Sequence, residues 1–183
     1  MLAPQTETWW GDQPYGSKSE KASGGRFPAM TLLIECVQTL KTTFSVDPNR
    51  VYLTGHAMGG FGAFNVLKHD PNTYAAAAIV SGGGDTKSAW RFAHVPIWVF
   101  AGEKSPILHY SQEMVAALKA VGGTPKFTVV KGAPTACWPQ VYDGEAMWTW
   151  LFYQRRVIRR PPTTQPATQP TTQPTTKAAA KRP

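Results

Sequence analysis

The sequence predicts an α/β protein: a mostly parallel sheet with helices on both faces. Two observations lead to this. Short β-rich runs alternate with helix-periodic segments through most of the chain, the order expected when parallel strands are joined by helical crossovers. Several runs, such as 74–80 (YAAAAIV) and 96–101 (PIWVFA), are small and apolar throughout, as in strands buried on both faces. The 183 residues suffice for one domain with a real core, and the apolar share of 42% fits a globular protein.

In chain order, residues 1–4 read as the end of a strand, and residues 5–27, polar and Gly-rich around Trp9 and Trp10, as a long loop. A loop of that length inside a domain is often functional. From Pro28 to about Phe44 the apolar residues Met30, Leu33, Ile34, Val37 and Leu40 recur at spacings of three and four, which makes one helix face. Asp47-Pro48-Asn49 forms a turn, and Arg50–Thr54 reads as a buried strand. Gly55 to Gly60 leads into a helix that Asp70-Pro71-Asn72 ends after about His69. Tyr74–Val80 and Pro96–Ala101 read as strands, with a loop opening at Ser81-Gly82-Gly83-Gly84. Ser111–Val121 reads as a helix closed by Gly122-Gly123, a pair suited to a left-handed cap. Lys126–Val130 is the last expected strand and Asp143–Arg156 the last helix.

After Arg160 the character changes. Residues 163–176 read TTQP-ATQP-TTQP-TT, too poor in apolar side chains to offset ordering entropy, with prolines favouring extended polyproline II. The expected division is a domain over 1–160 and a disordered Thr/Gln/Pro-rich basic tail over 161–183. The formal charge of +8 belongs to the C-terminus: Arg155, Arg156, Arg159, Arg160, Lys177, Lys181 and Arg182 face no acid beyond residue 154. The rest is nearly neutral, so no specific nucleic-acid face is expected.

Cys36 and Cys137 lack metal-ligand spacing, and the four histidines include no i, i+4 pair, so neither a metal nor a cofactor is expected. No run approaches a membrane span. The start, MLAPQTETWW, has no basic segment followed by an apolar one, so no signal peptide is expected in it. The compartment is not readable.

The motif that carries chemistry is Gly55-His56-Ala57-Met58-Gly59, between an expected strand and an expected helix. A strand ending in G-x-S-x-G before a helix is a nucleophile elbow. The turn is tight, so small residues must flank the central position, and Gly55, Gly59 and Gly60 meet that need. Here alanine holds the serine position. A phosphate loop is excluded because Phe61 and Gly62 stand where Lys and Ser/Thr are required, and the dinucleotide fingerprint is not matched. A generic glycine-rich strand–helix turn is the plainer alternative.

The stretch VDPNRVYLTGHAMGGFGAF resembles the polyhydroxybutyrate-depolymerase and feruloyl-esterase branch of the α/β-hydrolases, in which serine stands at the position of Ala57. AAAAIVSGGG resembles the following strand and glycine loop, and VPIWVFAGEKSPI the strand and acid loop, typically HGxxDP. GAPTACW resembles the histidine loop, typically GxGHxxW, and WTWLFYQRR the last helix. The resemblance covers roughly residues 2–156. It implies an α/β-hydrolase fold lacking the N-terminal strands, with the Val51–Thr54 strand an exposed edge or covered by residues 1–27.

The resemblance also implies a degenerate triad. Ester hydrolysis needs a serine nucleophile, a histidine base and an orienting acid. Ala57, Thr135 and Ser105 occupy those positions in turn. One oxyanion donor, the Met58 N–H, is retained, while the family's second comes from a His-Gly loop that does not occur here. Cys137 with His56 is a conceivable substitute pair, although packing of a small thiol is the plainer account. Glu103 could stand in for the acid, Ser81 lies at a strand end near the site, and His109 could lie near its mouth. Trp138 and the Trp9-Trp10 pair could line a pocket.

The expectation is a protein descended from a serine carboxylic-ester hydrolase and catalytically inactive. The alternatives are an active esterase with an unrecognised nucleophile, and an interaction module working through its tail or its pocket. The partners to consider are a small ester-like ligand in the pocket and a protein at the sheet edge or tail.

Overall fold

The computed structural model of the chain describes residues 1–5, Trp10 and 28–156. Most of the expected 5–27 loop, Trp9 and the expected tail therefore lie outside the described residues.

Four strands form one parallel sheet in the order β1-β2-β3-β4: β1 (Tyr52–His56), β2 (Ala76–Val80), β3 (Ile97–Gly102) and β4 (Lys126–Val130). Between them run α1 (Pro28–Thr43, before β1), α2 (Met58–His69), a 3-10 helix (Thr86–Arg91) and α3 (Leu108–Ala120). After β4 come α4 (Trp138–Tyr142) and α5 (Glu145–Tyr153). The expected α/β architecture is the one observed.

Side-chain alternation along β2 explains why this strand is apolar throughout. Ala77 and Ile79 join a core with Met30, Phe64, Leu67, Phe92 and Met114, supplied by α1, α2, α3 and the 3-10 segment. Ala76, Ala78 and Val80 face the other way, onto Phe100, Cys137, Val141, Met147 and Leu151. The run of alanines lets helices approach closely from both sides. Gly122, at φ +83, closes α3, and the Gly123 N–H returns to the Leu118 carbonyl at 2.9 Å. This is the left-handed cap that the glycine pair predicts.

Three expectations need correction. Residues 1–4 are not the end of a strand: residues 1–5 are exposed and pair with no strand among the described residues, and Met1–Pro4 line a groove beside β1. The 3-10 helix and α4 were not expected. Each is too short to show a period, and the first is set by Asp85, whose side chain accepts from the Lys87 N–H at 3.1 Å. The last helix begins at Glu145, not Asp143, and stops at Tyr153. Beyond it the backbone turns extended at Gln154, and the Arg156 N–H reaches the Asn49 carbonyl at 3.0 Å. Arg156 Nη1 also donates to the Asn72 carbonyl at 2.9 Å. These contacts fasten the end of the described chain to the turns before β1 and β2, opposite the elbow.

Among the described residues β1 pairs with β2 alone, and Met1–Pro4 and Trp10 lie beside it. The apolar face of α1 divides accordingly: Met30 and Ile34 are buried in the core, while Leu33, Val37 and Leu40 border the groove.

Candidate functional site

Parallel α/β sheets place ligand chemistry at the carboxyl ends of their strands. At that end Ala57 follows β1, Ser81 follows β2, Ser105 follows β3 and Thr135 lies in the loop after β4.

The elbow is formed as its glycines predict. Ala57 has φ 49 and ψ −114, a conformation that costs a non-glycine residue about 1–3 kcal/mol. It is held by its N–H on the Val80 carbonyl at 2.9 Å and its carbonyl under the Phe61 N–H at 3.0 Å. A Cβ on Gly55 would run into the Gly59 carbonyl, so the turn closes only with glycine there. Met58 opens α2 with its side chain exposed. Glycine adopts this conformation without that cost, so Ala57→Gly should stabilise the fold. Relief of the strain exceeds the added unfolded-state entropy, a net gain of about 1 kcal/mol. In thermal unfolding this appears as a rise of about 2–4 °C; an unchanged or lower midpoint would mean the turn is not strained.

Ser105 and Thr135, 30 residues apart, share a hydrogen bond of 2.8 Å between their hydroxyls. Ser105 is buried, and its Oγ also accepts from the Ile107 N–H at 3.3 Å. The Thr135 carbonyl accepts twice, from Ser81 Oγ at 2.8 Å and from His56 Nε2 at 3.1 Å. The second contact requires the imidazole tautomer with its proton on Nε2. The loop is tied again where the Lys104 N–H meets the Ala133 carbonyl at 2.9 Å. Glu103 does not stand in for the acid; its carboxylate accepts from the Gly132 N–H at 2.7 Å.

The other candidates separate. Cys137 is fully buried, its Sγ 3.5 Å from Ser81 Oγ. Because the Ser81 proton is directed to Thr135, the thiol is the donor in this contact. Cys137 therefore belongs to the packed core and is not hydrogen-bonded to His56, which corrects its assignment as a pocket residue. Trp138 is 44% exposed at the start of α4. His109 is exposed, its Nδ1 donating to the Pro106 carbonyl at 3.1 Å. Trp10 packs over Gly62 and receives the Asn65 side-chain amide on its carbonyl at 2.9 Å.

Sequence reasoning missed two members of this network. Ser81 was marked only as near the site, yet at φ 50 it holds the loop after β4. Tyr142 was not singled out; its hydroxyl meets Thr54 Oγ1 at 2.8 Å. Burial pushes the Tyr142 phenol above its ordinary range, the Thr54 bond opposes the rise, and the nearby Cys137 adds to it. No spacing in the sequence marks either contact.

A groove of about 670 Å³ runs between α1 and β1, bordered also by Met1–Pro4 and Trp10. Among the described residues no group of three or more metal-ligating side chains converges. None of the described helices is long and apolar enough to cross a membrane.

Comparison with known proteins agrees with this architecture. The esterase family model matches residues 10–165. The crystal structure of a thermostable esterase superposes with a TM-score of 0.68 at 30% identity, covering 72% of this chain and 38% of that one. SOBER1 of Arabidopsis thaliana shares the fold, with a TM-score of 0.58 at 18% identity over 67% of this chain and 61% of its own. A bifunctional acetylxylan esterase/xylanase of Neocallimastix patriciarum is 30% identical over 78 residues, 43% of this chain and 12% of that protein. The chain thus spans well under half the length of the thermostable esterase and a small part of the bifunctional enzyme. The parallel sheet, the elbow and the family match lead to one assignment: the chain belongs to the esterase family of α/β-hydrolase-fold proteins.

Proposed function

We propose that this chain is an esterase-family protein without esterase activity, with Ala57, Thr135 and Ser105 at the positions of nucleophile, base and acid. The observation that carries the reading is the 2.8 Å hydroxyl–hydroxyl contact of Ser105 with Thr135. A serine–threonine pair is neutral. It neither accepts a proton near neutral pH nor stabilises an imidazolium, the two tasks of the base and acid. The alanine methyl has no nucleophilic atom.

The test is p-nitrophenyl acetate hydrolysis together with labelling by a fluorophosphonate probe. The expected result is hydrolysis at the buffer rate and no label. Covalent labelling of any residue, Cys137 and Ser81 included, would overturn the proposal in favour of an unrecognised nucleophile.

A second reading, an interaction module, is favoured by β1, which has a paired strand on one side only among the described residues. The remaining binding possibility, a small ester-like ligand over the elbow, draws support only from the retained turn.

A further inference from the structure

Lys126 opens β4, and its register partner on β3 is Trp98. Both stand at the amino ends of their strands, the end of the sheet opposite the elbow. An exposed lysine on a strand ordinarily carries its charge out into water. Here it folds back: Nζ lies 3.5 Å from the centre of the Trp98 ring and 5.8 Å from that of Trp150 on α5. The ion pairs Lys68–Asp85 and Arg155–Asp47 join other groups, and Lys126 has no carboxylate partner among the described residues. Its ammonium is held by ring faces.

The two indoles make a fixed corner. Trp98 and Trp150 meet edge to face, with centroids 5.4 Å apart and planes at 81°. Phe100 stacks on Trp98 at 4.6 Å, and Trp98 Nε1 donates to Thr128 Oγ1 at 3.0 Å. With its N–H committed to Thr128, the Trp98 ring cannot turn without losing that bond, and its electron-rich face is what the ammonium meets. Trp98 and Trp150 are half-buried, while Lys126 and Thr128 are exposed, so the corner opens to solvent.

We propose that the Trp98–Trp150 corner is a binding site for a quaternary ammonium group, with Lys126 as its built-in competitor. Indole faces set around a cation are the means by which proteins recognise such groups. A primary ammonium is strongly hydrated and gives up water to sit on the rings. A quaternary ammonium carries methyl groups in place of N–H donors, so it gives up less water and adds apolar contact to the charge. Lys126 hangs on a flexible four-carbon stem, and a single exposed contact of this kind favours the docked position only about two- to fivefold. The site is separate from the elbow and stands whether or not the chain hydrolyses esters.

The probe is tetramethylammonium chloride, titrated into the full chain at constant ionic strength against sodium chloride. The indole N–H resonances of Trp98 and Trp150 follow binding. The expected result is saturable shifts at those two indoles, half-complete at about 1–10 mM. Lys126→Ala removes the competitor and should tighten binding about two- to fivefold, whereas Lys126→Arg should not. Trp150→Leu keeps an apolar side chain on α5 but removes a wall, and should weaken binding about fivefold or more. Lys126→Ala alters an exposed side chain, so it keeps the proposal testable should Trp150→Leu fail to fold. Choline and a trimethyl-lysine amide carry the head as a free molecule and on a side chain. Binding by either supports the proposal, and the tighter of the two names the source.

Three results would overturn it. One is an equal saturable shift with the uncharged carbon analogue of choline, which would make the corner merely apolar. Another is binding by Lys126→Ala no tighter than by the parent, which would make the lysine part of the structure and not a competitor. The third is undiminished affinity in a folded Trp150→Leu protein.

Discussion

Ala57→Ser alone should leave the chain inactive, whereas Ala57→Ser combined with Ser105→Asp and Thr135→His should give a fluorophosphonate-reactive protein. The reason lies in the contacts around the elbow. The Ser105 and Thr135 hydroxyls already meet at 2.8 Å, so side chains at these positions can touch, as an aspartate must to accept the imidazole N–H of a histidine. The Thr135 backbone is held by Ser81 and His56, so a new side chain at 135 starts from a fixed point. A serine without a base gains nothing at neutral pH, because its hydroxyl stays protonated. Supplying the base is worth about 10²–10⁴ in rate. Stoichiometric labelling at position 57 and p-nitrophenyl acetate turnover measure both outcomes. If the single variant reached the rate of the triple, the assignment of Ser105 and Thr135 to acid and base positions would be wrong.

Gly102→Ala should be among the most destabilising single-methyl additions in the chain. Gly102 is the last residue of β3, and a Cβ there would collide with the carbonyls of Pro134 and Ala133. Backbone atoms cannot swing aside as a flexible side chain can, so the loop after β4 must lift. Overpacking of this kind costs about 3 kcal/mol. Lifting the loop breaks the Lys104–Ala133 and Ser105–Thr135 bonds together. It also uncovers Cys137, which is fully buried in the parent. In a Cys36→Ser background, Ellman's reagent should therefore modify Cys137 far faster in the glycine variant than in the parent, and the urea midpoint should fall. Equal thiol reactivity with an unchanged midpoint would show that the loop is not docked as described.

Which parts of this molecule were legible beforehand follows from where the information sits. The strand β2 was readable because five consecutive small apolar residues can be buried only between two helical layers. Helix α1 was readable from its spacing, but not the division of its face between core and groove, which depends on where the helix lies against the sheet. The 3-10 helix and α4 were missed because five or six residues carry no measurable period. The misreading of residues 1–4 as a strand has a physical root: an apolar segment becomes a strand only beside a partner.

The candidate site divides in the same way. Gly55-His56-Ala57-Met58-Gly59 announces a strained turn because only glycine fits against the Gly59 carbonyl, and that constraint is local to the chain. The lack of a hydroxyl at Ala57 is likewise plain in the sequence. The meeting of Ser105 with Thr135, the double use of the Thr135 carbonyl and the burial of Cys137 join residues 30 to 79 positions apart. Nothing in residue order determines them, because the lengths and angles of three crossovers decide where the ends of β1, β3 and β4 converge. The sequence by itself determined the alternation of strands and helices, the elbow and its alanine. The tertiary structure alone decided what surrounds that alanine, and that among the described residues β1 pairs only with β2, since both depend on which strands lie side by side.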